Sequence, residues 1–176
     1  MRQKHKWYVI TGGPSSGKTT IIHKLAHLGY RIIPEMARSV IERELRNGKN
    51  IKVINHEEKH VQKMIMTTQL NAEKRTPRDQ IVFLDRGMPD SVAYYRLHHL
   101  DARHALKMSR NRPYAKVFLF DLLSYQYDGV RVENATIAKK IDQLIEQAYR
   151  ELGYELVRVP VLSINDRVKF VLKHLR

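Results

Sequence analysis

The chain has 176 residues, 43% of them hydrophobic and 28% charged, which fits one globular α/β domain over residues 1–176 and excludes a disordered chain. It contains no cysteine, so disulfides, thiolate zinc sites and cysteine nucleophiles are excluded, as suits a reducing cytoplasm. Its 32 Lys and Arg against 18 Asp and Glu give a formal charge of +14, a bias that attracts anionic partners such as polyphosphates, nucleic acid or acidic lipid.

In chain order, strands are expected near Lys6–Thr11, Tyr30–Pro34, Gln80–Asp85, Ala115–Asp121 and Tyr154–Pro160. Helices are expected near Lys18–Leu28, Met36–Arg46, His56–Lys74, Pro89–His99, Ala102–Ser109, Ala135–Leu152 and Ile164–Leu175. Alternating strands and helices argue for a parallel sheet covered on both faces. Gly29 and Gly153 follow two of the helices, where a left-handed residue ends a helix, and Ser163 stands as the N-cap of the last one. Asn47-Gly48-Lys49-Asn50 and Thr76-Pro77 read as turns. No apolar h-region follows the N-terminus, so no signal peptide is expected. The longest apolar runs, Ile81–Leu84 and Val117–Phe120, are too short to span a bilayer, so no transmembrane segment is expected.

The sharpest motif is Gly12-Gly13-Pro14-Ser15-Ser16-Gly17-Lys18-Thr19, which satisfies G-x-x-x-x-G-K-[ST] between a strand and an amphipathic helix. Glycines let the backbone curl so that successive N–H groups face phosphate oxygens, and the helix dipole adds positive potential below them. Lys18 would reach the β- and γ-phosphates and the Thr19 hydroxyl would ligate Mg²⁺, with Thr20 beside it. A second anchor is Ile81-Val82-Phe83-Leu84-Asp85, an apolar strand that ends in a carboxylate able to hold Mg²⁺ directly or through water. The absence of an Asn-Lys-x-Asp guanine reader favours ATP, with GTP possible.

Asp85-Arg86-Gly87-Met88-Pro89-Asp90-Ser91-Val92-Ala93-Tyr94-Tyr95 resembles the Asp-Arg-x-x-x-Ser-x-x-Ala-Tyr element of thymidylate and deoxynucleoside kinases. The resemblance implies that Arg86 grips a phosphate near the acceptor and that Asp85 lies by Mg²⁺. A fuller resemblance is to the AAA-type domain family of nicotinamide-riboside-kinase-like P-loop proteins. It rests on Tyr8–Thr20, Pro34-Glu35-Met36-Ala37-Arg38, Asp85–Tyr95, Asp128-Gly129-Val130-Arg131 and Leu152-Gly153-Tyr154. It implies a three-layer α/β/α P-loop NTPase fold with a five-stranded parallel sheet in the order 2-3-1-4-5.

Glu35 follows the second strand at the carboxyl edge of the sheet, where open α/β folds place ligands. It reads either as a general base for the attacking hydroxyl or as a helix N-terminal acid stabilised by the dipole. Arg38, one turn on, faces the same cleft or lies solvated. Residues 122–134 carry neither helical nor strand period and are expected to form a lid. Within them Asp128-Gly129-Val130-Arg131 is either a hinge that brings Arg131 onto the triphosphate or a surface turn. Tyr94 and Tyr95 either stack on an acceptor or pack against the sheet.

Other constellations are weaker. His56-Glu57-Glu58-Lys59-His60 fits H-E-x-x-H, but its charged interior suits a solvated helix start and a third ligand is not evident. Met64, Ile65, Met66 and Leu70 read as core or cleft lining. Arg103, Lys107, Arg110, Arg112 and Lys116 occur with no acid between Ala102 and Phe120, as a patch for an anionic partner or as a solvated face. The expectation is an Mg-ATP-binding phosphotransferase acting on a nucleoside-like, nucleotide or RNA-end acceptor. The alternative is a regulatory ATP/GTP-binding NTPase switch that recruits RNA or acidic lipid.

Overall fold

A strand covered on both faces reads as an unbroken apolar run, and the computed structural model, which describes residues 5–123 and 132–175, puts such runs at the centre of one sheet. Its strands are Trp7–Thr11 (β1), Arg31–Ile33 (β2), Val82–Asp85 (β3), Tyr114–Phe120 (β4) and Leu156–Val159 (β5). β1 and β3 are buried at every position. All pairings are parallel, in the order β2-β3-β1-β4-β5.

The helices among the described residues are Lys18–His27 (α1), Met36–Arg46 (α2), Ile51–His56 (α3), Glu58–Lys74 (α4), Met88–Leu97 (α5), Arg103–Ser109 (α6), Val132–Glu151 (α7) and Ile164–Lys173 (α8). They cover both faces of the sheet. Because side chains alternate along a strand, Trp7 and Val9 join Val82, Leu84, Val117 and Leu119 on one face, under Ile141, Ile145 and Tyr149 of α7. Tyr8 and Ile10 join Phe83, Phe118 and Phe120 on the other, under Ile21, Ile22 and Leu25 of α1 and Val168 and Val171 of α8. Each fully buried side chain of this size contributes roughly 1.5–3 kcal/mol. No helix among the described residues is long and apolar enough to cross a membrane.

Four of the five strands fall inside the spans expected from sequence and β4 starts one residue early, at Tyr114; most helices also fall inside theirs, while α5 and α7 start early, at Met88 and Val132. Gly29 and Gly153 take φ values of 89° and 81° just past α1 and α7, and the Ser163 hydroxyl accepts from the Asp166 N–H at 3.2 Å. One helix was not anticipated. Asn50, read as the end of a turn, caps α3 by accepting the Val53 N–H at 3.0 Å. Glu57 then separates α3 from α4, so His56 and His60 do not share one continuous helix, and the H-E-x-x-H spacing loses its geometric meaning.

The basic stretch is also less uniform than its sequence. Arg103 pairs with Asp101 at 2.6 Å, Arg112 lies 3.6 Å from the buried Glu73, and Lys116 donates to the His174 carbonyl at 2.9 Å. Part of its charge therefore serves the fold.

Candidate active site

β1 lies between β3 and β4, so the chain leaves it at the point where the crossovers diverge, and that point opens a crevice at the carboxyl edge. The loop Gly12–Gly17 fills it. Gly12 has φ 139°, and a Cβ there would sit 2.6 Å from the Phe120 carbonyl. A Cβ at Gly13 would meet the Ala138 carbonyl at 2.8 Å and Leu122 Cδ2 at 2.9 Å. Gly17 has φ 80° and caps α1 without a side-chain hydrogen bond, and no acid occupies the first turn of that helix. The first amides of α1 and its dipole thus stay available to an anion.

Lys18 is buried and folds back over its own loop. Its ammonium donates to the Gly13 carbonyl at 2.7 Å and to Ser16 Oγ at 3.1 Å, while Ser16 Oγ donates to the same carbonyl at 2.9 Å. Burial, then the charge of Arg86, lowers the Lys18 pKa to about 8 against the pull of Asp85, Asp90 and Glu35. Phosphate oxygens would supply the anion this cation lacks. Thr19 and Thr20 are exposed at the start of α1, and of the remaining loop residues Pro14 is half-buried and Ser15 exposed with φ 60°.

The loop is held from two sides by residues that the motif did not announce. Asp142 of α7 accepts the Gly13 N–H at 2.9 Å. Arg167 of α8, 3% exposed, donates from Nη1 to the Ser16 carbonyl at 2.7 Å and from Nε to the Pro160 carbonyl at 3.0 Å. Its guanidinium stands 5.4 Å from the Phe120 ring centroid. Neither contact has a local signal, because the partners lie more than a hundred residues apart in the chain.

The end of β3 delivers the charged centre. Asp85 pairs in register with Ile10, so its carboxylate emerges beside the loop. It is 4% exposed, and its Oδ1 is buried with no hydrogen-bond partner. Burial, then the nearby Glu35, raises its pKa to about 6, against Arg86 and Lys18. A buried carboxylate oxygen without a partner fits a divalent cation, which would also take the exposed Thr19 hydroxyl as a ligand.

Arg86 follows with φ 74°, a strained value for a residue with a Cβ, and its N–H donates to the Ile10 carbonyl at 3.0 Å. Its Nε donates to Glu35 Oε1 at 2.8 Å, its Nη1 lies 3.3 Å from Asp90 Oδ1, and its guanidinium stands 5.2 Å from the Tyr94 ring centroid. Burial pulls the Glu35 pKa up, but the charge and hydrogen bond of Arg86 outweigh it and leave the group below its ordinary value. Burial would lower the Arg86 pKa, yet Tyr94, Asp90 and Glu35 together raise it.

Asp90 is the hub that sequence reasoning missed. It is 3% exposed and collects donors from Thr11 Oγ1 at 2.6 Å, Arg86, the Gly87 N–H at 3.0 Å and Tyr149 OH at 2.6 Å. Its one local signal is an Asp at the third position of a helix that opens after Gly87, where a carboxylate caps free amides. Tyr149, Thr11 and Arg86 reach it only through the fold.

Between α2, α3, α4 and α5 lies a cavity of about 280 Å³, and Arg86, Gly87, Asp90 and Tyr94 form one of its ends. Tyr94 thus faces the cavity, whereas Tyr95 packs with Met66, Met88 and Val92. Ile65 lines the cavity and Met66 belongs to the core. Arg38 is exposed on α2 outside this lining, although its charge is felt by Glu35. Of the expected lid, residues 132–134 belong instead to the first turn of α7, while Asp128-Gly129-Val130-Arg131, and hence Arg131, lies outside the described residues.

Comparison with solved structures finds the same fold at low sequence identity. The thymidylate kinase from Ehrlichia chaffeensis matches with a TM-score of 0.68 at 13% identity, over 95% of this chain and 96% of that one. A deoxyadenosine kinase from M. mycoides, with products bound, matches at 0.63 and 15%, over 96% and 98%. A NadR protein in complex with NR matches at 0.74 and 19%, over 99% of this chain but 52% of that one, so this chain spans about half of NadR. Comparison with curated proteins gives no match. The model of the AAA domain family covers residues 7–167, which establishes that the chain belongs to that family, and the likeness to these structures shows a P-loop nucleotide-kinase fold.

Proposed function

We propose that the protein is an Mg²⁺- and ATP-dependent phosphotransferase whose acceptor hydroxyl sits in the cavity beside Arg86. The observation that carries this reading is the Glu35–Arg86–Asp90 charge array, which stands between the phosphate loop and an apolar cavity. A plain NTPase has no use for a second ligand chamber opening onto its charged centre. The three structural neighbours, named as kinases or as bound to NR, support the same direction.

In the proposed step the acceptor oxygen bonds to the γ-phosphorus while the bond to the β–γ bridging oxygen breaks, and ADP leaves. The hydroxyl proton passes to Glu35. A carboxylate held low by Arg86 is a weak base, but a loose phosphoryl-transfer transition state demands positioning more than proton abstraction. Glu35 would therefore act mainly by aiming the hydroxyl. Lys18 and the loop amides would hold the triphosphate, Thr19 and Asp85 would hold Mg²⁺, which neutralises charge on the phosphates, and Arg86 would balance charge between donor and acceptor.

The experiment is ADP release from Mg-ATP and Mg-GTP with and without a panel of nucleosides, nucleotides and short RNA ends. Acceptor-dependent ADP release with a phosphorylated product supports the reading. Phosphate release at one rate whatever acceptor is added overturns it in favour of the NTPase switch.

A further inference from the structure

The cavity has a second polar end that the phosphate site does not use. Gln69 on α4 lies at the Arg86 end, with Nε2 3.4 Å from the Arg86 carbonyl. Glu58 stands eleven residues earlier on the same helix, about 16 Å along the axis. There its Oε1 accepts from Gln62 Nε2 at 2.7 Å and lies 3.1 Å from His98 Nε2, at the far end of α5. All three line the cavity. Both partners converge on Oε1, which leaves Oε2 without a partner among the described residues. Between the two ends the wall is apolar, made by Met36, Ile41, Ile54, Val61 and Ile65.

Charge narrows the occupant further. The lining carries the carboxylates Asp90 and Glu58, and Arg86 is already engaged by Glu35 and Asp90. The other group that can become cationic, His98, faces Glu58. Among the described residues, a phosphate placed in this chamber would meet carboxylates and no uncommitted cation. An N–H donor would meet a fixed, half-desolvated acceptor.

We infer that the cavity takes an unphosphorylated, ring-bearing alcohol, and that Glu58, steadied by Gln62 and His98, reads an N–H donor at the end of that molecule far from its reacting hydroxyl. The assignment of the reacting end rests on the phosphotransferase reading above; the charge selection and the donor-reading carboxylate do not. Amino-bearing nucleosides are the chemical class that combines a flat apolar ring, a terminal hydroxyl and such a donor.

The test is calorimetric binding of matched pairs to the intact chain, adenosine against purine riboside and adenosine against AMP, with phosphoryl transfer from ATP measured in parallel. Adenosine binding about 10- to 100-fold tighter than purine riboside, the range for a hydrogen bond to a charged acceptor, supports the inference, provided AMP is also weaker. In Glu58→Gln, with its melting temperature and ATP-analogue affinity unchanged, the adenosine-to-purine-riboside ratio falls to within about twofold. Equal binding of the pair by the unaltered protein, tighter binding of AMP, or a ratio untouched in Glu58→Gln overturns it, as does binding of none of these compounds. Glu58-dependent binding without transfer supports the inference and sinks the phosphotransferase reading. Transfer with no dependence on the amine does the reverse.

Discussion

Arg86 Nε donates to Glu35 Oε1 at 2.8 Å, a contact that joins the ends of β2 and β3 across fifty-one positions of sequence. The same guanidinium reaches Asp90 on α5, so one cation ties three elements together at the mouth of the cavity. The Arg86 φ of 74° comes immediately after Asp85, and its N–H donates to the Ile10 carbonyl of β1. In a phosphotransferase the Arg86–Glu35 contact holds Glu35 ionised and aimed. Glu35→Gln keeps the shape and loses the charge. It should lower turnover by about 10²-fold, the order for a misaimed acceptor, while the affinity for an ATP analogue, read by fluorescence titration, stays within about threefold. Equal loss of both would remove Glu35 from the chemistry.

Lys18 gives a pH signature. Its pKa of about 8 in the free protein is set first by burial, and bound phosphate would raise it back towards the ordinary lysine range. The bound form then carries a higher pKa than the free form, so binding takes up a proton above pH 8. Affinity for Mg-ATP is full below that pH and weakens up to about tenfold per unit above it. Calorimetry near pH 9 in buffers of different ionisation enthalpy should count close to one proton taken up, and Lys18→Ala should abolish both the binding and the proton. A flat affinity between pH 7 and 9 would contradict the assignment.

Asp90 should matter more to folding than any other acid at the site. Asp90→Asn turns one acceptor oxygen into a donor that faces either the Gly87 N–H and Tyr149 OH or Thr11 and Arg86. Leaving such groups mismatched in the interior costs roughly 2–4 kcal/mol, or about 5–15 °C in melting temperature for a chain of this length. Tyr149→Phe removes one donor and should cost about 1–2 kcal/mol. Thermal unfolding by circular dichroism measures both.

Gly13→Ala tests whether α7 seats the phosphate loop. The new Cβ would lie 2.8 Å from the Ala138 carbonyl, a helix backbone atom that cannot swing aside. Either the loop or α7 must move, and the Gly13 N–H to Asp142 hydrogen bond goes with it. Nucleotide affinity should fall by about tenfold or more, the order expected for one lost charge-assisted hydrogen bond. Unchanged affinity would show that the loop tolerates a shifted α7.

The phosphate loop was legible because its chemistry is local. A curl of backbone amides needs glycines at fixed positions, and the lysine and threonine must follow within one turn. The central strands were legible because a strand buried on both faces is apolar throughout, as in Val82-Phe83-Leu84. Helix α3 was not, because its six residues show little period and Asn50 serves equally well as a turn residue or a cap. The role of Asp90 was not legible either, since three of its four donors belong to other parts of the chain or to the side chain of Arg86.

Sequence by itself determined the glycine-rich loop, the carboxylate at the end of β3 and the succession of strands and helices apart from α3, since each depends on contacts within a few residues or on periodicity. Tertiary structure alone decided which groups hold that loop in place, Asp142 and Arg167, and that Arg86 spends its charge on Glu35 and Asp90. It also decided that Glu58 and His98 share one cavity. The physical reason is distance along the chain. A hydrogen bond between residues fifty or a hundred and fifty apart leaves no spacing rule behind, because the sheet and the helices packed on it set its geometry.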